Sequence, residues 1–219
     1  LSTVHKYQGI YLLENEAYLP LGFLANPELA ELDFGTSSHF YFQNALFEAA
    51  SGVSDIWSVL VPEYSSNGVS LGSTSQVGSC SYREATNGSY LTYTYHIPQS
   101  GFMCFNANFS RRNSLQIIHY TEEERALIYE EHLPEAERKK NPETEKLKYR
   151  LYSETPSLPQ MYSVCQVEPG DTVEIRVSTD LKSFQESGNT TIQAAILDNE
   201  AFWDGYDVLN ASTMKVTEF

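Results

Sequence analysis

Ten residues, Asp198–Asp207 (DNEAFWDGYD), mix three aromatic side chains with four carboxylates. That mixture suits a glycan. Flat rings stack on the C–H faces of a sugar, and carboxylates accept hydrogen bonds from its hydroxyls. The residues that would make such contacts are Trp203, Asp204, Tyr206 and Asp207. The same segment also suits an amphipathic helix that packs Phe202 and Tyr206 on a sheet and turns its acids to water. Trp203 belongs to neither face decisively, so it is the residue that separates the two readings.

Other chemistries find little footing. No phosphate-cradling glycine-rich loop and no H-E-x-x-H motif is present, and no nucleophile elbow is expected. The five histidines (His5, His39, His96, His119 and His132) have no His or Cys at metal-ligand spacing, so no metal and no cofactor are expected. His96 and His119 fall in strand-like segments, where a solvated or internally satisfied imidazole is the ordinary case. Three cysteines (Cys80, Cys104 and Cys165) form no CxxC and allow at most one internal bridge; core thiols and one bonded pair both remain open. With 29 acidic residues a glycosidase pair is possible, but nothing singles one out, and no catalytic residue is assigned.

The elements that must position these residues are mostly strands. Residues 1–13 read as one strand. Leu12–Glu28 (LLENEAYLPLGFLANPE) starts as a strand and bends at Pro20 and Gly22, so Glu14 and Asn15 look like parts of a turn and not of a site. Gln43–Ala50 has helical spacing and Gly52 stops it. Ser54–Trp57 suggests a second short turn, and the Ser/Gly-rich 64–81 a loop with a weak strand inside.

Beyond residue 90 the period becomes two: Leu91, Tyr93, Tyr95 and Ile97 alternate with Thr92, Thr94 and His96. A turn at Pro98–Gly101 and a strand at 102–109 predict a hairpin. Strands follow at 114–120, 161–167, 173–177 and 190–197, with a turn at Glu168-Pro169-Gly170-Asp171 and a helix at 199–209. Residues 121–150 interrupt the rhythm with nine acidic and seven basic residues, a charged and partly helical insertion. Short strands with marginal helices predict a single mainly-β domain over 1–219, a β-sandwich of jelly-roll type.

Composition supports a folded chain and narrows its partners. The 219 residues are 41% hydrophobic and include 15 tyrosines. Net charge is −15, which repels phosphate backbones, so nucleic acid is not an expected partner. The longest stretch free of charged residues, Ala85–Ser110, is rich in Thr, Asn and Ser and broken by Pro98 and Gly101, so it cannot span a bilayer as a helix. Four N-x-S/T sequons stand at Asn87, Asn108, Asn189 and Asn210. Lacking an initiator Met, the chain reads as a segment of a longer protein.

Several landmarks recur in order along nearly the whole chain. They are Tyr11-Leu12-Leu13-Glu14-Asn15 with Leu19-Pro20-Leu21-Gly22-Phe23, then Phe42-Gln43-Asn44-Ala45-Leu46 with Gly52. Ile97-Pro98-Gln99-Ser100-Gly101 follows, then Val167-Glu168-Pro169-Gly170-Asp171-Thr172-Val173, and finally Ala195-Ile196-Leu197-Asp198 with Phe202. In this order the chain resembles the large extracytoplasmic region of the bacterial YfhO family of multi-span membrane proteins. The resemblance implies an integral membrane glycosyltransferase that uses polyprenyl-phosphate sugars and decorates cell-surface polymers such as teichoic acids. Its catalytic carboxylates would lie on loops near the membrane core, so none is carried over to this chain. The implied role is a non-catalytic domain on the extracellular face, which braces its own transmembrane region or positions a glycopolymer acceptor. The residues leave two alternatives open: a carbohydrate-binding module and a glycosidase-like enzyme.

Overall fold

The computed structural model describes residues 2–7, 10–14, 17, 19, 26–32, 38–72, 76–86, 88–109, 113–121, 150–153, 160–179 and 187–212. By internal packing the chain divides into two compact units, Leu1–Ile56 with Asn199–Phe219, and Trp57–Asp198. The insertion predicted at 121–150 falls, apart from its two end residues, outside the described residues, as do Asn15, Pro20 and Gly22.

The first unit holds β1 (Ser2–Tyr7), β2 (Ile10–Glu14), a 3-10 turn (Pro27–Glu31), α1 (His39–Ser51) and α2 (Asn199–Ala211). β1 and β2 pair antiparallel, so the single strand expected over 1–13 is a hairpin. The overlooked signal is the Gln8-Gly9 pair, which interrupts the run of strand formers in the sequence. α1 starts four residues before the predicted boundary, because Phe40 extends the buried stripe of Asn44 toward the N-terminus. It stops where expected: Gly52 takes φ 78°, and its N–H donates to Glu48 O at 2.7 Å.

The second unit is the sandwich. Its strands are β3 (Trp57–Leu60), β4 (Glu63–Asn67), β5 (Ser70–Gly72), β6 (Ser79–Arg83), β7 (Tyr90–His96), β8 (Gly101–Phe109), β9 (Asn113–Tyr120), β10 (Arg150–Ser153), β11 (Gln160–Val167), β12 (Thr172–Thr179) and β13 (Gly188–Leu197). Sheet one runs β10-β9-β12-β7-β4, and sheet two runs β11-β8-β13-β6-β5, with β3 also paired to β13. All described pairings are antiparallel. Trp57 thus opens a strand where a second short turn was expected. The 64–81 loop contains most of β4, all of β5 and the start of β6.

Alternation builds the core. Leu91, Tyr93 and Tyr95 of β7, Leu115 and Ile117 of β9, and Val173, Ile175 and Val177 of β12 point inward from sheet one. Met103, Phe105 and Ala107 of β8, with Ile192, Ala194 and Ile196 of β13, answer them from sheet two. Two phenols tie the layers together. Tyr93 Oη lies 2.6 Å from Thr190 Oγ1, and Tyr95 Oη donates to Ile192 O at 2.9 Å.

The hairpin expected between β7 and β8 does not form. β7 pairs with β12 and β4, whereas β8 pairs with β13 and β11, so Pro98–Gly101 carries the chain from one sheet to the other. The Glu168–Asp171 turn makes the same kind of crossing between β11 and β12. The two crossings bond to each other: Ile97 N–H donates to Asp171 O, and Gly170 N–H to Ile97 O, each at 3.0 Å. Ser100 Oγ donates to the Glu168 carboxylate beside them. Period two reveals which face a strand buries, but not which strand it pairs with, so a turn sequence alone cannot separate a hairpin from a crossing.

Gly101 is where this crossing is tightest. A Cβ there would sit 2.5 Å from Leu197 O. Gly101→Ala is therefore expected to lower stability by about 1–3 kcal/mol, the usual range for overpacking. Urea denaturation followed by circular dichroism would measure it.

Candidate functional site

The carboxylate-rich aromatic segment folds as α2, and helical spacing sorts its residues. Trp203 and Asp207 are four apart and share a stripe, with Asp204 beside them. Trp203 is 39% exposed, Asp204 and Asp207 are exposed, and Tyr206 is half-buried. All four predicted glycan contacts thus lie together on one helix.

The indole is held by other rings. Its centroid is 5.6 Å from Phe202 and 5.2 Å from Tyr206, both edge-on at 76° and 86°. Phe202 in turn stacks on Phe47 of α1 at 5.8 Å. This corrects the expectation that Phe202 packs on the sheet; its stacking partner is a helix. Such edge contacts restrict the ring while leaving part of it open. The acids have no evident role in holding the helix. Asp204 and Asp207 lie beyond the first turn, where the helix dipole does not favour a carboxylate, and the last turn has no basic residue.

Gly205 lets α2 approach α1. A Cβ there would meet Phe47 Cζ at 2.6 Å and Ser51 Oγ at 3.0 Å. Phe47 cannot swing away without breaking its stack on Phe202. Gly205→Ala should therefore be net destabilising, by roughly 1–2 kcal/mol. Overpacking outweighs the roughly 1 kcal/mol that alanine gains in helix propensity. Equilibrium urea unfolding checks the sign.

Sequence reasoning left another cluster unassembled. On β9, Leu115 and Ile117 point inward, and His119 follows in the same phase. Its Nε2 lies 2.7 Å from Asp171 Oδ2, and its Nδ1 lies 3.5 Å from Cys165 Sγ. Asp171 Oδ2 also accepts from Glu168 N–H at 3.0 Å, so the turn holds the carboxylate in place. The Asp171 side chain is 8% exposed and that of His119 29%. The hydrogen bond with Cys165, with Asp171 adding to it, holds His119 up at about 9 against the lowering effect of burial. The imidazole stands between sulfur and carboxylate, so the three donors do not converge on a point as metal ligands must. Among the described residues no group of three or more His, Cys, Asp or Glu is placed to hold a metal ion.

Gly68-Val69-Ser70-Leu71-Gly72 does match G-x-S-x-G spacing, yet Ser70 opens strand β5 and not a helix, so no nucleophile elbow forms. Ser70 Oγ donates to Glu84 Oε2 at 2.6 Å. The face of sheet one opposite the core is polar. Arg176 reaches Glu174 at 2.8 Å and lies 5.6 Å over the Tyr90 ring, and His96 lies 3.5 Å from Glu63. No described helix is long and apolar enough to cross a membrane.

No protein-family model matches the chain, and no curated protein does. Solved structures with partial likeness include a family 29 carbohydrate-binding module complexed with mannohexaose. It is 12% identical with a TM-score of 0.31, over 64% of this chain and 88% of that one. A second is the CBM36-1 domain of a multidomain xylanase from the hindgut metagenome of Trinervitermes trinervoides. It is 14% identical with a TM-score of 0.30, over 64% and 95% of the two chains. A third is the C-terminal CBM6 of LamC from Zobellia galactanivorans, 14% identical with a TM-score of 0.29, over 60% and 90%. The fold assignment rests on the sheet pairing described above and not on these scores.

Proposed function

We propose that this chain is a non-catalytic glycan-binding domain that uses the exposed stripe of α2. The observation that supports this most is the geometry of Trp203. A partly open indole is braced edge-on by Phe202 and Tyr206, with Asp204 and Asp207 exposed beside it. The indole would stack on a sugar face, and the two carboxylates would accept from hydroxyls. A net charge of −15 favours neutral, hydroxyl-rich stretches of polymer over phosphate-rich ones.

From the sequence resemblance we further propose a larger frame for this activity. The domain would belong to a bacterial multi-span glycosyltransferase of the YfhO kind and lie on the extracellular face. There it would position the hydroxyl-rich sugars of a cell-surface glycopolymer, or brace its own transmembrane region. The isolated chain is then expected to show no sugar transfer, and transfer by the purified protein would contradict this reading.

Binding is tested by calorimetric titration of neutral oligosaccharides into the protein and into Trp203→Ala. Loss of the ring should weaken binding by about tenfold, or about 1.4 kcal/mol, with a modest fall in melting temperature because the indole also packs on Phe202 and Tyr206. Equal affinity in the two proteins would remove α2 as the site.

A further inference from the structure

Within the second unit, the described residues line up a nucleophile, a base and a carboxylate. Cys165 Sγ faces His119 Nδ1 at 3.5 Å, and His119 Nε2 faces Asp171 Oδ2 at 2.7 Å. That is the order of an activated nucleophile: the base touches it, and a third group orients the base. With Nε2–H donated to Asp171, Nδ1 is left to the sulfur. It can take the S–H proton or, once protonated, donate to the thiolate. The Glu168 N–H holds Asp171, so the imidazole has one preferred setting.

The other two cysteines lack this arrangement. Cys80 and Cys104 are buried, and burial pushes both thiols up. Cys80 Sγ lies 3.4 Å from Ser81 O and 3.8 Å from Gly72 O. All three cysteines are free, so none is spent in a bridge. Cys165 alone combines partial exposure with a histidine at its sulfur. Thiol chemistry of this kind follows access and local positive charge.

The surroundings narrow the electrophile. Cys165 packs against the edge of the sandwich core, and the cavity lined by Val69, Tyr82, Tyr90 and Val177 is built from other residues. A reagent that needs only the open side of a sulfur atom fits such a place better than a large substrate.

We propose that Cys165 is a hydroperoxide-reactive thiol, with His119 as its base and Asp171 as the positioning residue. The S–H proton rests on His119 Nδ1 as an imidazolium, and the thiolate so formed attacks one peroxide oxygen. The S–O bond forms as the O–O bond breaks. The leaving hydroxide, or alkoxide, takes the proton back from His119 and departs as water or alcohol. Sulfur is oxidised by two electrons to a sulfenic acid, and the peroxide is reduced by the same two.

The test uses the whole protein, dilute hydrogen peroxide and a 1,3-diketone that traps sulfenic acid. Adducts at Cys80, Cys104 and Cys165 are followed over time by peptide mass spectrometry. Cys165 should be trapped about tenfold faster than free glutathione at the same pH, and faster still than the two buried thiols. His119→Gln should bring the rate down to that of glutathione or below. Asp171→Asn should lower it less and move its pH profile, which a merely structural role would not do. A Cys165 rate no greater than that of glutathione in the unaltered protein would overturn the proposal without any variant. So would an unchanged rate in a folded His119→Gln protein.

Discussion

Tyr95→Ala is expected to lower the stability of the sandwich by about 3–5 kcal/mol, the usual cost of deleting a buried ring. Tyr95 is fully buried, and its ring fills the space between the sheets. Its hydroxyl donates to Ile192 O on the opposite sheet, so the deletion also removes a bond between layers. Burial pushes the phenol up, so it stays protonated and a donor through the ordinary pH range. Domains have about 5–15 kcal/mol in total, so the variant should be close to unfolding. Tyr95→Phe separates the two contributions. It keeps the ring and loses only the hydroxyl, for about 1 kcal/mol. Urea denaturation of both variants should show this ordering, and equal losses would mean that the hydrogen bond and not the ring carries the effect.

Alkaline pH should weaken the fold through His119. Its folded pKa of about 9 lies above the unfolded value of about 6.5. A group raised in this way contributes fully below its unfolded pKa and loses that contribution as pH rises through its folded one. Stability should therefore fall between about pH 6.5 and pH 9. The side chain is 29% exposed, so solvent screening reduces the effect to about 1–2 kcal/mol, or roughly 3–6 °C in melting temperature. Cys165 and Asp171 are the titratable groups that face the imidazole. Other thiols also ionise at high pH, so the measurement is the difference between the unaltered protein and His119→Gln. The variant should lose most of the slope over this window. An identical slope in both would show that the His119 cluster contributes nothing to folding.

The mainly-β architecture was legible because period two runs through β7 and β12, where Leu91, Tyr93 and Tyr95, and Val173, Ile175 and Val177, turn inward. Those strands bury one face, and alternation records it directly. What alternation does not record is partnership. Pro98–Gly101 and Glu168–Asp171 look like hairpin turns, yet each changes sheet, and Gly101 fits because Leu197 O approaches it closely. The strands within 64–81 were hidden for a different reason. β4 and β5 are exposed along their full lengths, so they carry no apolar signal to read.

The site divides in the same way. Trp203, Asp204, Tyr206 and Asp207 are neighbours in sequence, so local spacing brought them together before any fold was known. Phe47 of α1, which fixes Phe202 behind them, lies far away in the chain. The His119, Cys165 and Asp171 cluster is assembled from β9, β11 and the turn before β12, and no local window contains all three. The one available hint was that His119 shares the inward phase of Leu115 and Ile117.

A glycan held on α2 must perturb the residues of that helix. The most direct test maps amide and indole chemical shifts by NMR while neutral oligosaccharides are titrated into the isotope-labelled protein. Trp57 is buried in β3 and Trp203 is exposed, so the two indole N–H signals report different places. Saturable shifts are expected at the Trp203 indole and at residues 203–207, with the Trp57 signal still. Shifts confined to the polar face of sheet one around Tyr90 and Arg176, or none at millimolar sugar, would contradict a glycan site on α2.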